Sequence, residues 1–273
     1  MLRDITLGQY YQTDSVIHRL DPRVKLSATV LFIISLFVVD NFIGYIIAAV
    51  FLACMVKISK VPFRFMVKGM KSIVFLLLIA VVFNLFLTPG EAVLTVWKLT
   101  VTREGIRIAA MMAVRLVFLI IGSSLMTLTT TPNNLTDGME KLMAPLKIFR
   151  VPVHEVAMMM SIALRFIPIL LEETDKIMKA QIARGADFES GSLIKKAKAM
   201  VPLLVPLFIS AFRRANDLAM AMEARCYRGG EHRTKMKPLV YQKRDRLGYL
   251  IMFAYLAVCI YFGRIFQIQQ LIR

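Results

Sequence analysis

Three stretches of this chain, residues 26–39, 42–56 and 73–87, contain no charged side chain. An α-helix crossing ~30 Å of hydrocarbon at ~1.5 Å per residue needs about 20 mostly apolar residues, fewer where flanking Lys and Arg reach back to the headgroups. Residues 106–126 make a full-length fourth candidate, and 247–266 a fifth that carries only Arg264 near its end. With hydrophobic residues at 58% of 273, the chain has more apolar surface than a water-soluble domain of its size buries. The expected fold class is an all-α integral membrane protein with about five transmembrane helices plus a cytoplasmic domain of long amphipathic helices.

Charge sets the orientation. Lys and Arg number 35 against 18 Asp and Glu, a net +17, yet the apolar runs hold almost none of them. Cytoplasmic loops of membrane proteins carry the basic excess. The connection between the second and third runs holds Lys57, Lys60, Arg64, Lys68 and Lys71 without an acid, so it is expected inside. The turn at Asp40-Asn41 and the balanced segment 89–105, with Glu91, Lys98, Arg103 and Glu104, then fall outside, and the amino terminus is cytoplasmic. Residues 1–25 are mixed and polar, unlike a cleavable signal. The expected organisation is a membrane domain over 1–130, a cytoplasmic segment over 131–246 and a last span in 247–273.

About 120 residues between the fourth and fifth spans need an architecture of their own. The pattern is helical: a polar turn at Thr131-Pro132-Asn133-Asn134, a short helix over about 135–146, a break at Arg150-Val151-Pro152, and a long helix over 153–183. The apolar part of that helix, 153–171, is nearly span length but contains Glu155, Arg165 and Pro168. The segment 200–212 is too short to cross and is interrupted by Pro202 and Pro206. Both are expected at or under the inner surface, presenting apolar faces to protein or lipid.

Two helix ends repeat a motif. Ala183-Arg184-Gly185 and Ala224-Arg225-Cys226 each close an amphipathic helix, and Gly185 and Gly229 are natural left-handed terminators. One arginine at a helix carboxyl end gains ~0.3–1 kcal/mol from the macrodipole and needs no partner. Two of them on one segment look instead like plugs for two similar sockets. A planar guanidinium bonds a carboxylate through two parallel N–H groups, a geometry lysine cannot supply. That pattern points to two homologous partner subunits.

Other chemistry is absent from the sequence. Gly69-Met70-Lys71-Ser72 lacks the first glycine of a phosphate-binding loop, so no nucleotide cradle of that kind is encoded. His18, His154 and His232 are isolated, and Cys54, Cys226 and Cys259 show no paired spacing, so no metal or disulfide framework is expected. Spans of this length leave no room for a nucleic-acid binder. Arg115 is the one charge near the middle of a span and is expected to face a partner, backbone carbonyls or water; an interhelical bond and a substrate path are both open. Eighteen methionines, among them Met158, Met159 and Met160, supply a surface that either packs the bundle or adapts to exchangeable partners.

Three features together resemble the T component of energy-coupling factor transporters, the EcfT/CbiQ family: His18-Arg19-Leu20-Asp21-Pro22-Arg23-Val24-Lys25 before the first span, Leu164-Arg165-Phe166-Ile167-Pro168, and the two Ala-Arg motifs. The second motif has Cys226 where the family usually has glycine. The resemblance implies a scaffold in the bacterial or archaeal cell membrane that couples two ABC-type ATPases to an S component, which binds a vitamin or metal ion. Arg184 and Arg225 would each dock in one ATPase, Met158–Met160 would lie toward the S component, and ATP and Mg would be held by the partners, with no cofactor on this chain. A module shared by several S components is the leading form; one dedicated to cobalt, nickel or biotin is the alternative. A self-sufficient secondary transporter using Arg115, and a membrane enzyme, are the rivals from other classes.

Overall fold

The computed structural model describes residues 10–39, 41–90, 92–96, 99–188, 192–230, 236 and 238–271. They form α1 (Pro22–Val38), α2 (Phe42–Ser59), α3 (Phe63–Leu87), α4 (Arg103–Thr129), α5 (Pro132–Leu142), α6 (Val153–Ala183), α7 (Leu193–Ala224) and α8 (Lys243–Leu271). A 3-10 turn, Ala144–Phe149, follows α5, and two strands, β1 (Ala92–Val96) and β2 (Leu99–Thr102), stand between α3 and α4. The protein is an all-α membrane protein. Each of the five apolar runs falls on a helix: α1, α2, α3, α4 and α8.

Among the described residues four helices are long and apolar enough to cross a bilayer: Phe42–Ser59, Arg103–Thr129, Val153–Ala183 and the Lys243–Phe262 part of α8. α1 has 17 residues, and the apolar end of α3 is Leu77–Leu87. The presence of α6 in this set differs from the surface placement read from sequence. Pro168 is absorbed inside a continuous helix of 31 residues, so its length and composition suit a span.

Two further differences have plain physical causes. Pro202 and Pro206 do not interrupt α7, which runs unbroken for 32 residues. Each proline removes a single N–H from the ladder, and apolar and basic helix formers on both sides carry the helix through. The segment after α3 is an antiparallel hairpin, with Leu94 opposite Val101 and Val96 opposite Leu99. Its Val- and Thr-rich composition favours strands. Asp40, Glu91 and Lys98 of the expected outer connections lie outside the described residues.

The chain divides into two compact units, one holding Gly8–Met139 with Leu239–Arg273 and the other Glu140–Pro238. In the first, α1 starts from Asp21, whose carboxylate accepts the Arg23 N–H, with Pro22 at the first helical position. Its core joins Phe32, Leu36, Tyr45, Leu52, Ile121 and Tyr255. Phe51 and Tyr255 stack at 4.2 Å between centroids, and the Tyr255 and Ser35 hydroxyls bond at 2.9 Å. Gly122 lets α4 approach α1, since a Cβ there would sit 2.7 Å from the Phe32 ring. Ile34, Phe37, Val50 and Phe253 are exposed on the outside of the bundle, as suits a protein whose solvent is lipid.

The second unit contains α6 and α7. Met158 and Ile162 of α6 share a cavity wall with Leu218 and Met222 of α7, while Glu173 meets Ser210 and Arg214. Earlier residues of α6 thus meet later residues of α7, so the two helices run in opposite senses.

Candidate functional site

The two arginine-bearing ends share one backbone conformation. Arg184 caps α6 at φ −88°, ψ 8°, and Arg225 caps α7 at φ −91°, ψ 13°. The residue after each enters the left-handed region, Gly185 at φ 86° and Cys226 at φ 55°. The hydrogen bonds that reach back over the left-handed residue correspond at the two ends. Gly185 N–H donates to the Ile182 carbonyl at 2.9 Å and Cys226 N–H to that of Glu223 at 2.8 Å; Ala186 donates to Gln181 and Tyr227 to Met222, both at 3.0 Å. Bonds reaching back over a left-handed residue satisfy the last free carbonyls of a helix. Cys226, not Gly229, therefore terminates α7; Gly229 has its own positive φ of 92° three residues further on. This corrects the expectation that Gly229 plays the part of Gly185.

Ala183, Arg184, Gly185, Ala224, Arg225 and Cys226 are all exposed. Beside Arg225 lies a cavity of about 490 Å³ bounded by Met158, Ile162, Met222, Tyr227 and Gly229. Met158 faces this cavity, whereas Met159 and Met160 are 59% and 50% exposed. Successive helical residues are turned by ~100°, so the three methionines cannot share one face. On α7 a second exposed apolar stripe comprises Val201, Leu204, Val205, Phe208 and Phe212, at the spacing of one helical face. The Pro-containing run 200–212, expected from sequence to present an apolar face at or under the inner surface, supplies it.

Two polar contacts that sequence reasoning did not identify brace this unit. The Glu173 carboxylate of α6 accepts from the Ser210 hydroxyl and from Arg214 at 3.0 Å. Through the Ser210 and Arg214 bonds Glu173 acts as a clasp between the two helices. His154 Nδ1 meets Glu140 Oε1 at 3.0 Å. Gly230 lies against the same imidazole, where a Cβ would fall 2.2 Å from the ring, so the chain leaving Arg225 is laid over His154. His232 lies outside the described residues. Among those described, no group of three His, Cys, Asp or Glu stands together as a metal site.

Arg115 is central in α4 yet level with a turn. Its Nε donates to the Tyr45 hydroxyl at 2.9 Å and its guanidinium to the Val39 carbonyl at 3.3 Å. At the other end of the same helix pair, Lys25 Nζ donates to the Thr129 carbonyl at 2.8 Å. Residues 25 to 39 and 115 to 129 are matching spans of α1 and α4, about 21 Å of helix at ~1.5 Å per residue. Arg115 therefore ties α4 to the end of α1 and the start of α2.

The motif from His18 to Lys25 is a junction. Asp21 N–H and Gln242 N–H both donate to the buried Asp245 carboxylate, at 2.8 and 2.7 Å. Arg23 pairs with Asp21 at 2.8 Å, reaches the Leu239 carbonyl at 3.1 Å and lies over the Tyr241 ring at 3.8 Å. The starts of α1 and α8 are thereby joined. Burial raises the Asp21 carboxyl, but the Arg23 bonds and the Arg23 and Lys25 charges outweigh it and hold it below its ordinary range. His18 accepts from Ser15 at Nδ1 (2.7 Å) and donates from Nε2 to the Tyr11 carbonyl (3.0 Å). Burial pushes its pKa down.

Fold and site together define a helical membrane subunit that carries two equivalent, exposed cationic helix ends. A family model described as Cobalt transport protein (CbiQ) matches residues 13–236, and the chain belongs to that family. It is similar to a protein of Clostridium kluyveri, 59% identical over 262 residues that cover 95% of this chain and 96% of the relative. Similar proteins from Thermosediminibacter oceani (52% identical; 91% and 94% covered) and Bacillus subtilis (45%; 97% and 100% covered) bear the same name, energy-coupling factor transporter transmembrane protein EcfT. The family is that of the T components of these transporters.

Proposed function

We propose that this chain is the non-catalytic membrane scaffold of an ATP-driven importer, transmitting motion from two ABC-type ATPases to an S component that holds the vitamin or metal-ion cargo. The observation that carries the reading is the equivalence of the Arg184 and Arg225 ends. One backbone geometry used twice, on exposed tips, suits two copies of one kind of socket. ATP and Mg belong to the sockets' owners. When nucleotide binding closes the ATPase pair, the tips are drawn together and α6 and α7 move with them. The exposed stripe on α7, with Met159 and Met160, is the apolar surface we assign to the S component and to lipid. Its methionine content supports a module shared among several S components. The cytoplasmic side of the amino terminus rests on the basic α2–α3 connection.

Charge reversal tests this. Arg184→Glu or Arg225→Glu is expected to weaken ATPase association at least about tenfold, or ~1.4 kcal/mol, while the chain still inserts. ATP-driven uptake that survives the double reversal overturns the docking assignment, and uptake by the chain alone in proteoliposomes overturns the scaffold reading.

A further inference from the structure

A cavity of about 200 Å³ lies inside the first unit among α1, α2, α4, α8 and the chain before α1. Its wall is apolar: Val24, Phe32, Leu52 and Met252 line it and are each at most 5% exposed. Its rim is open, because Val16, Ile58, Leu247 and Ile251 also line it and are 41–62% exposed. The cavity extends along α1 from Lys25 to Phe32, about 10 Å at ~1.5 Å per residue.

Two cations, Lys25 and Arg244, line the cavity. The Lys25 ammonium is committed to the carbonyls of His18 and Thr129. Arg244 is not committed at Nε, which is buried without an acceptor. A guanidinium N–H withdrawn from water and left unpaired costs more than one bonded to an anion. The same end of the bundle carries Lys57 in the last turn of α2, Lys60 on the connection and Arg64 in the first turn of α3. An apolar slot opening beside a spare cation, in a protein embedded in lipid, matches one molecule with both parts. Basic pockets between spanning helices hold anionic headgroups by this chemistry.

We propose that this cavity is a specific site for an anionic phospholipid of the adjoining leaflet, with one acyl chain in the slot from Lys25 to Phe32 and the phosphate on Arg244. The lipid fills a void that otherwise leaves Phe32 and Met252 without contacts on one side, and it completes the hydrogen bonding of Arg244. It fastens α8 to α1 and α2 at their shared end. The site is separate from the arginine tips and does not depend on the ATPase reading.

Native mass spectrometry of the full chain, released from mild detergent after exchange into defined lipid, tests this. Dioleoyl phosphatidylglycerol is expected to remain bound where dioleoyl phosphatidylcholine, with the same chains, is lost, and inorganic phosphate alone is expected to give no adduct. Arg244→Gln should weaken the phosphatidylglycerol adduct about tenfold, ~1.4 kcal/mol. Ala28→Phe, which fills the slot, should abolish it, and Ala28→Ser, which leaves it open, should retain it; circular dichroism confirms that each variant is folded. Equal retention of both lipids, or no effect of Arg244→Gln, overturns the headgroup assignment. Phosphatidylglycerol binding unchanged in folded Ala28→Phe overturns the acyl site, and phosphate binding without lipid replaces it with a free-anion site.

Discussion

Glu173 of α6 and Arg214 of α7 form an ion pair at 3.0 Å, and each stands eleven residues before the arginine that ends its helix (173 to 184, 214 to 225). The clasp is therefore equidistant from both tips, about 16 Å of helix on each side at ~1.5 Å per residue. Because α6 and α7 run in opposite senses, the tips leave the clasp in opposite directions. An ion pair with half-open partners contributes under about 1 kcal/mol to stability. Its value lies in fixing where two levers cross. Arg214→Met is expected to leave ATPase co-purification intact and to lower ATP-driven uptake several-fold, and Glu173→Arg with Arg214→Glu to restore part of it. Transport unaffected by Arg214→Met would reduce the clasp to packing.

The two tips differ in one residue, and that difference is measurable. A non-glycine residue in the left-handed region costs about 1–2 kcal/mol relative to its ordinary conformations, and Cys226 occupies it at φ 55°. Cys226→Gly is expected to raise thermal stability in detergent or leave it unchanged. Gly185→Ala is expected to lower it by about 1 kcal/mol, although open space surrounds the position, because backbone conformation rather than collision sets the penalty. A stabilising Gly185→Ala would contradict the shared geometry.

Arg115 is expected to behave as a brace. Tyr45→Phe removes the hydroxyl that accepts from Nε and should lower stability by about 1–3 kcal/mol, the range for a hydrogen bond made by a charged group. Arg115→Met removes donor and charge together and should be milder. Uptake by the assembled transporter should persist in both, scaled to the amount of folded protein. Loss of uptake with full folding and assembly would return Arg115 to a substrate path.

Acid should loosen the junction before α1. His18 has its pKa below the ordinary 6.5, chiefly through burial, with the Lys25 charge adding and the Tyr11 bond and the Asp14 charge opposing. A folded pKa beneath the unfolded one means that the folded state resists protonation. The His18 contribution is complete above about pH 6.5 and declines as pH falls through the folded value. Asp21, also depressed, extends the loss further into the acid range, below its ordinary 3.8. His18→Gln is expected to flatten melting temperature against pH between 6.5 and 5; an unchanged slope would place the titration elsewhere.

The helices were legible because bilayer physics writes them locally: an uncharged run must close its own hydrogen bonds and can do so only as a helix or a closed barrel. The boundaries of α6 could be read to the residue from the breaks at Arg150-Val151-Pro152 and Gly185. The arginine tips were equally local, a repeated dipeptide at two helix ends. The hairpin of β1 and β2 has its signal in Val and Thr content, which the charge balance of the segment does not register. Pro202 and Pro206 each carry a local penalty that the helix on both sides outweighs, so they do not mark a break in α7.

Sequence alone determined the class, the apolar runs that became helices and the two cationic ends, all of which depend on neighbours a few residues apart. Only tertiary structure decided that Asp245 would hold the start of α1, that Glu173 would find Arg214, and that Arg115 would bond Tyr45 and Val39. Those pairings join residues up to 224 positions apart in the chain. Such distances are set by how helices pack and in which direction they run, and no local pattern of residues records either.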